Sequence, residues 1–221
     1  MIHSFFHLLF ISIVALFPVV NPIGSALMVN PYFSGLDRND KRIAVRKIAF
    51  YAFCLCTFFL FAGHLLLNLF GISIPVIQLA GGIMICKTGW ESLTSDDTSQ
   101  QAISTNDTNL DNQQKLNIEN KLFYPITFPI TTGAGTISVL FTLGAHSVDA
   151  NITNYIVNVS AILAAIIIMC ILVIIFFLNT KLILSYLGSH SETIINRLMS
   201  FLLFCVGLQI ASTGIKSLFH I

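Results

Sequence analysis

The chain has 221 residues, of which 55% are hydrophobic and only 10% charged, and its mean hydropathy is +0.84. Soluble domains carry about 25% charged residues, so an ordinary soluble fold is excluded. The formal net charge of +1 gives no electrostatic footprint for nucleic acid. Stretches of about 20 apolar residues recur, each long enough to cross a hydrocarbon core of about 30 Å. They are continuously apolar rather than alternating, which selects helices over a barrel. The lipid bilayer is therefore the first partner.

The first apolar stretch covers residues 5–29. It has no basic segment before it and no small-x-small cleavage site after it, so it reads as a retained span rather than a leader. Within it, Phe17-Pro18-Val19-Val20-Asn21-Pro22-Ile23-Gly24-Ser25 interrupts the helical pattern. The second and third spans cover 45–70 and 73–93, with a tight turn at Gly71-Ile72-Ser73 between them. Residues 94–122 are rich in Ser, Thr, Asn, Asp and Gln and read as a polar tether between halves. The remaining spans cover 123–146, 152–179 and 195–219, which makes six. The fourth contains Phe128-Pro129-Ile130-Thr131-Thr132-Gly133-Ala134-Gly135-Thr136.

Lys and Arg near span ends set orientation. Arg38, Lys41, Arg42, Arg46, Lys47, Lys87, Lys115, Lys121, Lys181 and Arg197 all fall on one side of the six-span arrangement. Only Lys216 falls on the other. Both termini are therefore expected outside, in the periplasm of a Gram-negative cell, with the first, third and fifth loops cytoplasmic.

The two interrupted segments align: Phe17-Pro18 with Phe128-Pro129, Gly24 with Gly135, and Ser25 with Thr136. A second match closes each half, where Thr88-Gly89 meets Thr213-Gly214 and Gly82 meets Gly207. Two matches in the same order predict a duplication, with repeats at 1–93 and 123–221. Each half holds three spans, an odd number, so the second half is expected to lie inverted in the membrane. The expected fold is an all-α membrane protein of six transmembrane helices, built as two inverted three-helix repeats. Its first and fourth helices are interrupted near the midplane.

Paired Gly/Pro interruptions point to a transporter binding site. Pro22 lacks an amide, and freed backbone groups in hydrocarbon need a partner. Asn21 adds an amide and Ser25 a hydroxyl at the first break. Thr131, Thr132, Thr136 and Ser138 supply hydroxyls at the second, where Gly133 and Gly135 permit close approach. A half-helix starting after each break would aim its positive end into the cavity. The candidate substrate-binding residues are Asn21, Pro22, Gly24, Ser25, Thr131, Thr132, Gly133, Gly135 and Thr136. Kinked, tightly packed helices with self-satisfied hydroxyls would use the same residues.

Elsewhere, Lys87 and Glu91 have ion-pair spacing but read first as side chains snorkelling to the interface. Gln78 and Gln209 are candidates for an interhelical hydrogen bond, and His64 reads as a structural histidine rather than a proton relay. The five cysteines lie inside expected spans and read as buried, inert thiols. There is no G-x-S-x-G, H-E-x-x-H or P-loop, so neither catalytic residues nor a metal or cofactor is expected.

These motifs carry a resemblance. Asn21-Pro22-Ile23-Gly24, the junction Phe70-Gly71-Ile72-Ser73-Ile74-Pro75 running on to Gly81-Gly82, and the spaced Pro125, Pro129, Gly133 and Gly135-Thr136-Ile137 resemble the MarC family of bacterial inner-membrane proteins. Arg197-Leu198-Met199 with Gly207 and Gly214-Ile215 is similar to that family's last span. One departure is Ala134, where the family usually has proline between two glycines. The resemblance implies six spans with periplasmic termini in the inner membrane, and relatives largely without an assigned substrate. Some are grouped with amino-acid exporters by fold analogy. The expected function is secondary transport or export of a small solute rather than drug efflux. The alternative is a non-transporting scaffold or stress-related protein whose breaks serve packing.

Overall fold

A computed structural model describes residues 2–33, 35–94, 119, 121–147 and 151–219. The polar tether expected at 94–122 lies almost wholly outside the described residues, as does the side chain of His64. Every regular element among the described residues is helical.

α1 spans Ile2–Val20 and runs through Pro18. The expected break over Pro18–Gly24 is thus confined to one residue, Asn21, at φ 43° and ψ 64°. Asn tolerates this left-handed conformation better than other side-chain-bearing residues. Pro22 then starts α2 (Pro22–Val29) at the first helical position, where its missing amide costs nothing. A single tight turn, Asn30–Phe33, leads towards α3 (Arg38–Phe70). Gly71, at φ 63°, reverses the chain into α4 (Ile74–Thr94), as the sequence predicts.

α5 (Leu122–Thr131) has wide turns and non-helical backbone at Tyr124 and Phe128, both at φ −121° and ψ 123°. Each precedes a proline, whose Cδ excludes the helical region for the residue before it. The second interruption therefore begins at Tyr124, earlier than Pro129, and extends to Thr132. α6 (Ala134–Ser147) continues at 65° to α5, so the bend exists with alanine at position 134.

The Asn151 side chain caps α7 (Ile152–Leu178), accepting from the Thr153 amide. α8 runs unbroken over Thr180–Phe219, 40 residues. The expected fifth loop at 180–194 is therefore helical. No proline falls there, and the one glycine, Gly188, costs about 1 kcal/mol, too little by itself to stop a helix. At 1.5 Å per residue, α8 is about 60 Å long, roughly twice a hydrocarbon core.

By length and apolarity four helices qualify as membrane spans: His3–Val29, Arg38–Gly63, Ile152–Leu178 and Ser200–Phe219. The bent pair α5–α6 makes a fifth where it is counted as one span. α4, with Lys87 and Glu91 near its end, is not among them.

α7 is the central post. Its buried residues Val159, Ile162, Ala165, Ile166, Met169, Val173 and Phe177 recur at helical spacing, and the helix packs against α1, α2 and α3. Leu16, Val20, Val45, Ile48, Ile126 and Leu140 close the core around it. Large apolar residues such as Phe10, Phe50, Leu65 and Ile156 are exposed, as a lipid-facing surface requires.

The most extensive interface joins α4 and α8, which run antiparallel. Its contacts come in equivalent pairs. A Cβ on Gly82 would lie 2.5 Å from the Ala211 nitrogen and 2.7 Å from the Gly207 oxygen. One on Gly207 would lie 2.6 Å from the Cys86 nitrogen and 2.8 Å from the Gly82 oxygen. Likewise Gly89 meets Phe204 and Ser200, while Gly214 meets Leu79 and Pro75. Glycine here lets two backbones touch, as in membrane helix pairs with small interfacial residues. Gln78 is buried in this seam near Gly214, whereas Gln209 is exposed. The expected pairing of the two glutamines is not formed, because Gln209 falls on the outward face of α8.

Candidate functional site

The two interruptions meet. The Ser25 hydroxyl lies 2.9 Å from the Val20 carbonyl and 3.3 Å from the Ile130 carbonyl on α5. Its single proton serves either acceptor, so one side chain links the end of α1 to the second break. On the other side, a Cβ on Gly135 would come within 2.6 Å of Val19 and 2.7 Å of Ile85. Val19 and Ile130 are equivalent positions in the aligned segments, and so are Gly24 and Gly135. The breaks thus cross through matching residues.

Each candidate residue has a definite environment. Asn21 accepts from the Gly24 amide at 3.1 Å, an N-cap that satisfies one of the first amides of α2. A Cβ on Gly24 would sit 2.3 Å from the Asn21 side-chain nitrogen, so the cap needs glycine there. The Thr131 hydroxyl donates to the Ile126 carbonyl at 2.9 Å, and Thr127 donates to the Leu122 carbonyl at 2.6 Å. The Thr132 amide reaches the Thr127 carbonyl at 2.8 Å, while its buried side chain lies beside the Cys56 thiol of α3. Gly133 places its carbonyl 3.2 Å from the Ile137 amide and lies close over the Pro129 carbonyl.

Thr136 differs from all of these. It is fully buried at the start of α6, and its hydroxyl has no hydrogen-bond partner. An unpaired buried hydroxyl costs about 1–3 kcal/mol. Its equivalent, Ser25, is also buried but bonded to carbonyls. The same position is therefore satisfied in one segment and open in the other. Thr136 also stands in the first turn of α6, where backbone amides lack partners within the helix.

No charged side chain belongs to this cluster, and the described residues include no group of three or more His, Cys, Asp or Glu that could hold a metal. The chemistry on offer is hydrogen bonding by hydroxyls, an amide and helix ends. Sequence reasoning missed Thr127, Ile130, Ile85 and Cys56. Thr127 and Thr131 share a helical face by spacing and could have been paired. Ile85 and Cys56 enter from other helices, and no local pattern marks them.

Lys87 and Glu91 come within 3.7 Å at i,i+4 spacing, both largely exposed. A separate cavity of about 150 Å³ lies at the loop end of α3, lined by Leu36, Asp40, Ile43, Ala44 and Leu122. Lys47 and Glu119 form an ion pair beside it.

With this geometry in place, comparison with known proteins gives a consistent picture. The profile of MarC family integral membrane proteins matches residues 6–219. The UPF0056 membrane protein YvbG of Bacillus subtilis is 30% identical over 222 residues, covering 100% of this chain and 99% of its own. The UPF0056 inner membrane protein MarC of Citrobacter koseri is 26% identical, covering 93% of this chain and 92% of its own. The protein of the same name from Salmonella arizonae is 25% identical with the same coverage. No solved structure matches.

Proposed function

The chain belongs to the MarC family of integral membrane proteins, and on that premise we propose that it is a secondary transporter or exporter of a small solute, bound between the two crossing breaks. The observation that carries this reading is Thr136. Its buried hydroxyl has no partner, it stands at a helix N-terminus, and it sits where two interrupted segments pack together. A solute with a hydrogen-bond acceptor would complete it. Asn21, Pro22, Gly24, Ser25, Thr131, Thr132, Gly133 and Gly135 shape the site around it.

In this reading the protein has six spans. α1–α2, α3 and α4 form the first repeat, and α5–α6, α7 and α8 form the inverted second. The paired contacts of the α4–α8 seam support a two-fold axis lying in the membrane plane beside Gly82 and Gly207. The wider packing supports it too, because contacts occur as equivalents. α1 against α7 corresponds to α5 against α3, and α2 against α7 corresponds to α6 against α3. The Lys and Arg distribution supports periplasmic termini. The inner membrane is the expected site, in keeping with the names of the Citrobacter and Salmonella relatives. No enzymatic chemistry is assigned.

The scaffold reading keeps one specific observation. Ser25, Thr127 and Thr131 already bond to carbonyls of their own segments, as self-satisfied kinks would. A thermal-shift screen of purified protein against metabolite pools separates the two. The transporter reading expects a solute that stabilises the native chain and loses that effect in Thr136→Val. If no pooled solute gives a shift sensitive to that substitution, the scaffold reading prevails.

A further inference from the structure

The two-fold relation makes a stringent comparison possible, because every interface should have an equivalent. Several are matched unequally, and the widest gap lies between α4–α6 and its equivalent α2–α8. α6 packs along α4: the Ser138 hydroxyl donates to the Ile77 carbonyl at 3.3 Å, Gly81 lies directly against Ser138, and Gly135 lies against Ile85. The equivalent interface, α2 against α8, is much sparser. The shorter α2 does not account for this. The contacts named on α6 fall at Gly135 and Ser138, whose equivalents Gly24 and Leu27 are both present in α2. Moreover, α2 lies along α7 much as α6 lies along α3. α2 is thus seated on α7 but only lightly on α8.

The residues for a fuller contact are in place. Ile85 and Gly135 touch, and their equivalents, Ile210 and Gly24, are the same two residue types. The Gly81–Ser138 contact has Val206 and Leu27 as its equivalents. Both are apolar and suited to a packed interface.

We propose that the chain alternates between the state seen here, with α6 sealed on α4, and a counterpart in which α2 seals on α8 and α6 loosens from α4. The inference rests on the transporter reading and supplies its gate. α2 leads into the basic loop that begins at Arg38, so the loosened side is the cytoplasmic one and the sealed side is periplasmic. Packed interfaces are bistable rather than continuously deformable. In a symmetric pair of repeats the two gates have related energies, so exchanging them requires no new kind of contact. The α4–α8 seam, whose contacts are already two-fold symmetric, is the element that both states share.

Disulfide trapping in membranes tests this, in a background whose five native cysteines are replaced by alanine. The Ile85→Cys/Gly135→Cys pair reports the gate closed here, and Leu27→Cys/Val206→Cys reports its counterpart. Both pairs should close when present alone, and closing the first should abolish closure of the second in the four-cysteine variant. If the second pair never closes while the first does, or both close in one molecule, the proposal is overturned. A solute that still stabilises the native chain through Thr136 would then leave the binding site standing without this gate. Spin labels at Met28 and Leu208, both exposed, give a second measurement that spares the packing. Two interspin distances are expected in lipid nanodiscs, and a single narrow distance overturns the proposal.

Discussion

Asn21 carries two burdens, a left-handed backbone and the cap of α2. Asn21→Ala loses the cap, worth about 1 kcal/mol, and puts a Cβ without a local hydrogen bond into a conformation costing about 1–2 kcal/mol. Asn21→Gly removes the steric penalty and should cost only a few tenths of a kcal/mol. Unfolding in graded denaturing detergent measures the order, with native above glycine above alanine. A second contrast concerns the threonines. Thr131→Val breaks a made hydrogen bond and should lose about 1 kcal/mol, whereas Thr136→Val removes an unmade one and should be neutral or stabilising by about 1–3 kcal/mol. Equal losses in the two variants would mean that Thr136 is satisfied after all. At this scale the prolines and glycines were legible, because they act on their own backbone. Asn21 as the pivot was hidden between two prolines that each claim the break, and the solitary state of Thr136 depends on what distant segments fail to provide.

Helices explain which motifs were visible and which were not. The glycines of α4 and α8 matched one another through their spacing, but the spacing did not say that the two helices touch at those glycines. Contact between α4 and α8 is a tertiary fact. Gly82→Val and Gly207→Val each force side-chain atoms against backbone held within 3 Å, and overpacking costs about 1–3 kcal/mol. Because the two glycines face each other, the double variant should lose less than the sum of the singles. Strict additivity in a double-mutant cycle, read by the same detergent unfolding, would mean that the helices are not in contact there. The continuity of α8 was illegible for another reason. Polar residues at 188–193 look like a loop when apolarity alone is scored, yet nothing in them stops a helix.

For the whole molecule, charge placement was the clearest signal, because it needs only the span ends. Alkaline phosphatase fused after the last residue should be active, and fused within residues 95–118 it should be inactive. The opposite pattern would invert the orientation and exchange which gate faces the cytoplasm. Replacing several of the five basic residues between Arg38 and Lys47 should weaken this preference, since the positive-inside bias counts short loops near span ends. The third span expected at 73–93 is found as α4, a helix over Ile74–Thr94. Its glycines and charged end keep it below the apolarity of the other spans, although they fit it to lie along α8.

The α4–α8 seam has a kinetic consequence. Its glycine contacts join positions of α4 and α8 that match at one offset. On the inverted-repeat reading proposed above, a half-length chain meeting an inverted copy would therefore bury the same glycine faces as a two-body association. Carrying both helices on one polypeptide turns that encounter into a unimolecular one, with an effective concentration set by the length of chain between them. The seam's own glycines govern how long it stays closed.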